Sequence, residues 1–217
     1  MALNINGTTG ISGVDGSVSA PALTGTDSNT GITFPSADTI KFATGGVERM
    51  SITNSGVSGI TAGITMADQW RITSTFQVTS NAYITTNWER NDTAGYAKIG
   101  TGMSESSGVF SFPETGIYLV GINLTGNADS GGFNYVAGSI YTTLNNSSYT
   151  QSATTYESTD ASNRHWAMAT EFLFDVTDTS NCKVKFFVGS SSSQKAYVYG
   201  DGSLNTTFAH FTRLGDT

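Results

Sequence analysis

From about residue 61 onward, apolar and polar positions alternate. In GIYLVGINLTG (116–126), Tyr118, Val120, Ile122 and Leu124 share one face. In WAMATEFLFDV (166–176), Trp166, Met168, Phe172, Phe174 and Val176 do the same. KVKFFV (183–188) aligns Val184, Phe186 and Val188, and AYVYG (196–200) and TFAHFTRL (207–214) close the chain. QWRITSTFQVTS (69–80) and FNYVAGSIYTTL (133–144) carry a weaker version of the pattern. Polar turn clusters separate these runs: GNADSGG (126–132), NNSSY (145–149), DVTDTSN (175–181), GSSSSQ (189–194) and GDGSLN (200–205). Short runs of period two between polar turns predict strands, and many of them predict a β-sandwich or barrel. No stretch carries a helical apolar stripe of ordinary length.

The N-terminal segment, 1–60, differs. It holds two aromatics, Phe34 and Phe42, against 22 in the remainder, and 10 of the 25 glycines. Its apolar residues are sparse, and a segment of this size with so little bulk does not enclose a core alone. It therefore needs a partner, either further copies of itself or another protein. Within SADTIKFATGGVERMSITNSG (36–56), DTIKFAT and VERMSI alternate around Gly45-Gly46, which predicts a short β-hairpin. Residues 1–31 read as an extended arm that docks on something, with a flexible linker as the other reading. The division expected is thus residues 1–60 as arm or stalk and 61–217 as head.

Composition narrows the function. Charged residues are 12% of the 217, while Ser, Thr and Asn number 75. The surface is therefore rich in hydroxyls and amides. Twenty-four aromatics and a modest net charge argue against disorder. Ten Lys and Arg against 17 Asp and Glu give −7, and the closest basic grouping is Lys183 with Lys185. That is too little for a general nucleic-acid binder. No apolar run reaches the roughly 18–20 residues that cross a bilayer. MALNINGTTG has neither the basic nor the apolar segment of a secretory leader. A single cysteine, Cys182, excludes an internal disulfide framework. Sparse charge also predicts binding that responds little to salt.

Catalytic patterns are missing. His165 and His210 stand alone in strands, without neighbours at metal-ligand spacing. Cys182 reads as a small filler at a strand start, and Glu171 as an outward residue opposite Phe172. Asp175, Asp178 and Asn181 lack the order of a calcium loop and read as an Asx-type turn. Glycine patterns for nucleotides are absent. The expectation is a protein that is not an enzyme and has no cofactor and no metal.

Two stretches carry a family resemblance. In WERNDTAGYAKIGTGMSESSGVFSFPETGIYLVGINLTG (88–126), Gly108, Val109 and Phe110 precede Phe112, Pro113, Gly116 and Tyr118. This resembles the central motif of the complement-globular-head and tumour-necrosis-factor superfamily. NTTFAHFTRL (205–214), through Thr207, Phe208 and Phe211, resembles that superfamily's closing strand. The resemblance implies a ten-stranded jelly-roll sandwich assembling as a homotrimer. Phe110, Tyr118, Phe208 and Phe211 are then candidates for the trimer interface or the sandwich core. Phe208 and Phe211 have opposite strand parity, so at most one points inward without a bulge. The N-terminal TDSNTGI, ADTIKFATGG and VERMSI resemble tail-fibre and virion-structural proteins of marine phages, cyanophages in particular.

Together these readings imply an all-β, homotrimeric virion appendage, a tail fibre or knob-like fibre, made in the host cytoplasm. An N-terminal arm with a short hairpin would hold another virion protein, and a C-terminal jelly-roll head would meet a host-surface glycan or protein. No nucleic acid and no membrane insertion are expected. Loops 126–132, 142–160 and 189–197 are the candidate recognition sites, with Tyr149 and Tyr156 as ligand contacts, because tyrosine offers stacking and a hydroxyl. The alternatives are a purely structural decoration or tail-connecting protein, and a polysaccharide depolymerase. Against the latter stand the short chain, the absent β-helix repeat and the lack of a convincing acid pair.

Overall fold

The structure, a computed structural model, describes residues 4–6, 10–12, 15–59, 63–129, 131–191 and 196–217. The chain forms two compact units, Met1–Ala62 and Gly63–Thr217. Both are built from strands, with no helix among the described residues.

In the N-terminal unit, β1 (Asn4–Asn6) pairs with β2 (Gly10–Ser12), and β3 (Gly16–Ser17) pairs with β4 (Ala20–Pro21). An antiparallel meander follows: β5 (Leu23–Thr24), β6 (Gly31–Thr33), β7 (Ile40–Thr44), β8 (Val47–Thr53) and β9 (Gly56–Ser58). The hairpin expected at Gly45-Gly46 is β7–β8, and both glycines have positive φ, 58° and 73°. That conformation suits a tight two-residue turn and disfavours side chains with a Cβ. Residues 15–33, read in the sequence as part of an arm, run as short paired strands closed by side-chain turns. Asp27, for example, accepts from the Asn29 amide and the Thr30 hydroxyl at 3.2 and 2.7 Å.

Register decides which side chains of this meander lie together. Leu23 pairs with Ile32, Ile32 with Phe42 and Phe42 with Met50. Ile40 pairs with Ile52, and Ile52 with Val57. Directly paired residues share a face, so these seven form one apolar surface. None is buried: Ile52 is 38% exposed, Leu23 43% and Val57 59%. The buried residues Thr33, Ala43 and Ser51 are small and lie on the other face. There the Thr33 hydroxyl donates to the Asp15 carbonyl at 2.6 Å.

The second unit is a jelly-roll sandwich. Its strands are β10 (Ala67–Ile72), β11 (Ser74–Gln77), β12 (Ala82–Tyr83), β13 (Trp88–Arg90), β14 (Ser104–Ser106), β15 (Val109–Ser111), β16 (Gly116–Ala128), β17 (Phe133–Thr143), β18 (Thr150–Thr159), β19 (His165–Val176), β20 (Lys183–Ser190), β21 (Ala196–Asp201) and β22 (Phe208–Gly215). In the first sheet β16 pairs along its length with β19, and on its other edge with β22 and then β21. β10 and β13 continue from β22, and β11 from β21. The second sheet runs β14-β15-β20-β17-β18, with β12 also on β20.

Alternate residues from both sheets fill the space between them. Phe110 is the hub, with ring centroids of Trp88, Phe211, Phe186 and Trp70 at 5.1, 5.2, 5.4 and 5.6 Å. Phe112, with its ring 6.5 Å from that of Phe211, extends the cluster to Tyr118 and Phe174 at 4.7 and 5.6 Å. The motif aromatics Phe110 and Tyr118, together with Phe211 of the closing strand, are thus core residues, each fully buried. Cys182 is buried and unpaired. Asp178 accepts from the Ser180 amide and the Asn181 side chain, both at 2.7 Å, in the turn expected there.

Polar anchors hold the long connection between β13 and β14. The Asp68 carboxylate, buried, accepts from Trp70 Nε1 at 3.0 Å, Arg90 Nε at 3.2 Å, the Tyr96 hydroxyl at 2.6 Å and the Met103 amide at 2.8 Å. On the opposite side of β10, the buried Arg71 guanidinium meets Glu89, Asn91, Asp92 and Thr93.

Tyr118 makes alkaline stability testable. Its hydroxyl donates to the Glu114 carbonyl at 2.9 Å, and burial, with the Glu114 carboxylate adding to it, pushes the phenol from 10.0 up to about 12. The folded state thus keeps a proton that the unfolded chain releases at 10. The contribution is complete below that pH and is lost as pH rises toward 12. Thermal midpoints are expected to fall across this window, and less steeply in Tyr118→Phe; equal slopes would contradict the assignment.

Candidate functional site

The two outer surfaces of the sandwich have different chemistry. On the first sheet, Ile117, Leu119, Gly121 and Asn123 of β16 lie beside Phe208, His210 and Thr212 of β22, and beside Ala169, Glu171 and Leu173 of β19. Leu173 is 58% exposed, and Phe208 is half-buried. His210 Nε2 lies 3.2 Å from Glu171 Oε1, its ring across Gly121, where a Cβ would meet it at 2.2 Å. Opposite strand parity is realised without a bulge between the two phenylalanines: Phe211 points inward and Phe208 outward.

The outer surface of the second sheet is aromatic. β17 contributes Tyr141, paired with Lys185 of β20, and β12 contributes Tyr83, paired with Phe187. The rings of Tyr83 and Tyr141 meet edge-on at 5.2 Å, Tyr83 and Phe187 at 5.9 Å, and Tyr141 and Phe187 at 5.5 Å. Tyr149, from the loop after β17, joins this group with its ring 6.3 Å from Tyr83. Lys185 Nζ lies 4.0 Å from the Tyr149 ring and 5.0 Å from that of Tyr83. These side chains are half-buried. Burial raises the Tyr83 and Tyr149 phenols above their usual range, with Tyr141 and Tyr83 respectively adding to it, so both remain neutral donors near neutral pH.

A second aromatic pair lies on the same outer surface. Tyr135 of β17 and Tyr156 of β18 meet edge-on at 5.8 Å, and Tyr156 is 60% exposed. Tyr135 and Tyr141 lie at the two ends of β17, about 20 Å apart along an extended strand. The structure therefore puts Tyr149 and Tyr156 on one surface but in separate stations. Among the described residues, the hydroxyls of Tyr83, Tyr135, Tyr141, Tyr149 and Tyr156 have no protein hydrogen-bond partner.

The candidate recognition loops are redrawn accordingly. Most of 142–160 is not loop: β18 occupies Thr150–Thr159, leaving a short connection that carries Tyr149. The strand escapes the sequence pattern because TQSATTYEST presents Thr, Ser and Ala where a core strand presents aliphatics. It is held by hydroxyl pairs such as Ser139–Thr154 and Thr142–Ser152, at 2.9 and 2.7 Å. In 126–132 the stretch up to Ala128 belongs to β16, and residue 130 lies outside the described residues. In 189–197 the same holds for residues 192–195. Sequence reasoning missed Tyr83, Tyr141, Phe187 and Lys185. The usable signal was the outward parity of Lys185 and Phe187 opposite the inward Val184, Phe186 and Val188.

This architecture defines the fold: an antiparallel jelly-roll sandwich. The head resembles the structure of Eiger TNF from S. frugiperda, with a TM-score of 0.53 and 11% identity over 71% of this chain and 96% of that one. Murine APRIL at pH 5.0 gives 0.49 and 11% identity over 69% and 98%. The PRD1 vertex protein P5 gives 0.40 and 11% over 72% and 100%. No protein-family model and no curated protein sequence matches the chain. At such identities the likeness to Eiger establishes the fold. Among the described residues, no group of three or more His, Cys, Asp or Glu is placed to hold a metal ion.

Proposed function

We propose that the protein is a homotrimeric phage virion appendage whose N-terminal unit attaches it to another virion protein and whose head binds a host-surface glycan. The observation that carries the reading is the apolar surface formed by Leu23, Ile32, Ile40, Phe42, Met50, Ile52 and Val57. An apolar sheet face whose side chains are half-buried to exposed is a site for other chains. Three copies related by one threefold axis can turn these surfaces inward and leave the polar ones outside. The phage-like strings of the N-terminus support the virion context. The outer surface of the first head sheet, with Leu173 and Phe208, is the candidate interface between heads. Rings with free hydroxyls on the other surface suit sugars, which present C–H faces for stacking and hydroxyls for hydrogen bonds. This is a binding function rather than a catalytic one.

Light scattering tests the assembly. The full chain is expected at three times its mass of 22.8 kDa. A chain of residues 61–217 is also expected to be trimeric. A monomeric head would shift the reading to a structural decoration protein held by its N-terminal unit, and a monomeric full chain would overturn the trimer.

A further inference from the structure

The head's aromatic surface carries one feature that neutral-sugar stacking leaves unexplained. Among the described residues, the other lysines are tied down: Lys41 to Glu48, Lys98 to the carbonyls of Gly100 and Thr101, and Lys183 to the carbonyl of Thr179. Lys185 has no acceptor and no carboxylate partner among them. The residue is half-buried, and its ammonium rests on the rings of Tyr149 and Tyr83. Cation–π contact holds such a group in place but leaves N–H donors available. Lys183, on the same strand and of the same parity, shares the outer surface, so two cations stand together on a chain of net charge −7.

We propose that the Tyr149–Lys185–Tyr83 station takes an acidic sugar: a pyranose stacked on the tyrosine rings, with its carboxylate on the Lys185 ammonium. The inference rests on the glycan-attachment reading and narrows it. Charge-assisted hydrogen bonds are stronger than neutral ones, and a lysine already fixed between two rings loses little side-chain freedom on binding. A neutral sugar would stack equally well but would leave the ammonium's donors to water. The Tyr135–Tyr156 pair, about 20 Å along β17, gives a longer oligosaccharide a second place to stack. Binding is then expected to weaken with salt, contrary to what sparse charge alone predicts.

The test uses the full chain and calorimetry with oligogalacturonate, oligoglucuronate and oligosialate, each beside its carboxyl-reduced counterpart. At least one acidic oligomer is expected to bind about tenfold more tightly than its reduced form, equivalent to about 1.4 kcal/mol. The preference should shrink as salt rises from about 0.01 M to about 0.15 M, where the screening length drops from about 30 to 8 Å. Lys185→Met should abolish the preference while keeping the binding of the reduced form; Lys185→Arg should restore most of it. Tyr149→Ala should weaken both. Equal binding of acidic and reduced oligomers overturns the acidic-sugar inference and leaves glycan attachment standing. An acid preference that survives in a folded Lys185→Met protein overturns the assignment to Lys185. No binding of any oligomer, acidic or reduced, overturns the inference. If soluble protein also fails to bind host cells, the glycan reading falls with it.

Discussion

Asp68→Ala is expected to cost the head about 3–5 kcal/mol, much of the roughly 5–15 kcal/mol by which a domain of this kind is stable. The carboxylate is buried and serves four different elements: its own strand through Trp70, β13 through Arg90, the following loop through Tyr96, and the approach to β14 through Met103. Removing it strands these donors and leaves the Arg90 cation, which lies 4.7 Å from the Trp70 ring, without its counter-charge. The cost follows from orphaned groups rather than lost volume, because a buried donor without an acceptor forfeits its full hydration. A denaturant titration reads it as a large fall in midpoint. Asp68→Asn should recover part of the loss by keeping an acceptor. A change below about 1 kcal/mol for Asp68→Ala, the size of one ordinary hydrogen bond, would mean that this segment is not fixed by the carboxylate.

The second large effect is expected in the N-terminal unit. Phe42→Asp with Ile52→Asp puts two charges on the apolar surface of the meander. If three chains bury that surface, each substitution loses about 1.5–3 kcal/mol of apolar burial and adds an unpaired charge. Residues 15–59 should then become sensitive to limited proteolysis, while the head keeps its fold. If the surface faces water in the assembled protein, the same changes belong among exposed substitutions, usually within about 0.5 kcal/mol. Ser55→Asp, in the exposed turn between β8 and β9, is the control for a charge added to the same unit away from that surface. A double variant as resistant as that control would refute the covered surface.

The legibility of this fold in its sequence follows from where its apolar residues are dense. β16, β19, β20 and β22 announce themselves because one sheet face is apolar at most alternate positions. β18 does not, because its contribution to the sandwich is made with hydroxyls, and Thr and Ser read as loop. The closing strand shows what parity can settle: it separates Phe208 from Phe211, yet only the packed structure shows that Phe211 is the inward one. The aromatic surface was half legible. Tyr149 stood out as a tyrosine in a polar loop. Its companion Tyr83 comes from a distant part of the sequence and Tyr141 from the preceding strand, and only strand pairing brings them together. Lys185 looked like one member of a sparse basic pair, and its meaning lies in the rings beneath it.

The open meander also bears on how the protein is made. The N-terminal unit leaves the ribosome ahead of Gly63–Thr217, the unit that forms the head. At roughly 5–20 residues per second, its apolar surface is displayed for on the order of ten seconds before the head's core can close. Chains being translated side by side on one message would hold such surfaces close together during that interval. If three chains bury these surfaces against one another, assembly is favoured between neighbouring nascent chains, and slow or dilute synthesis should yield more tangled or proteolysed product than crowded polysomes do. The small, hydroxyl-rich residues around that surface limit the hazard, since they offer stray partners little to grip.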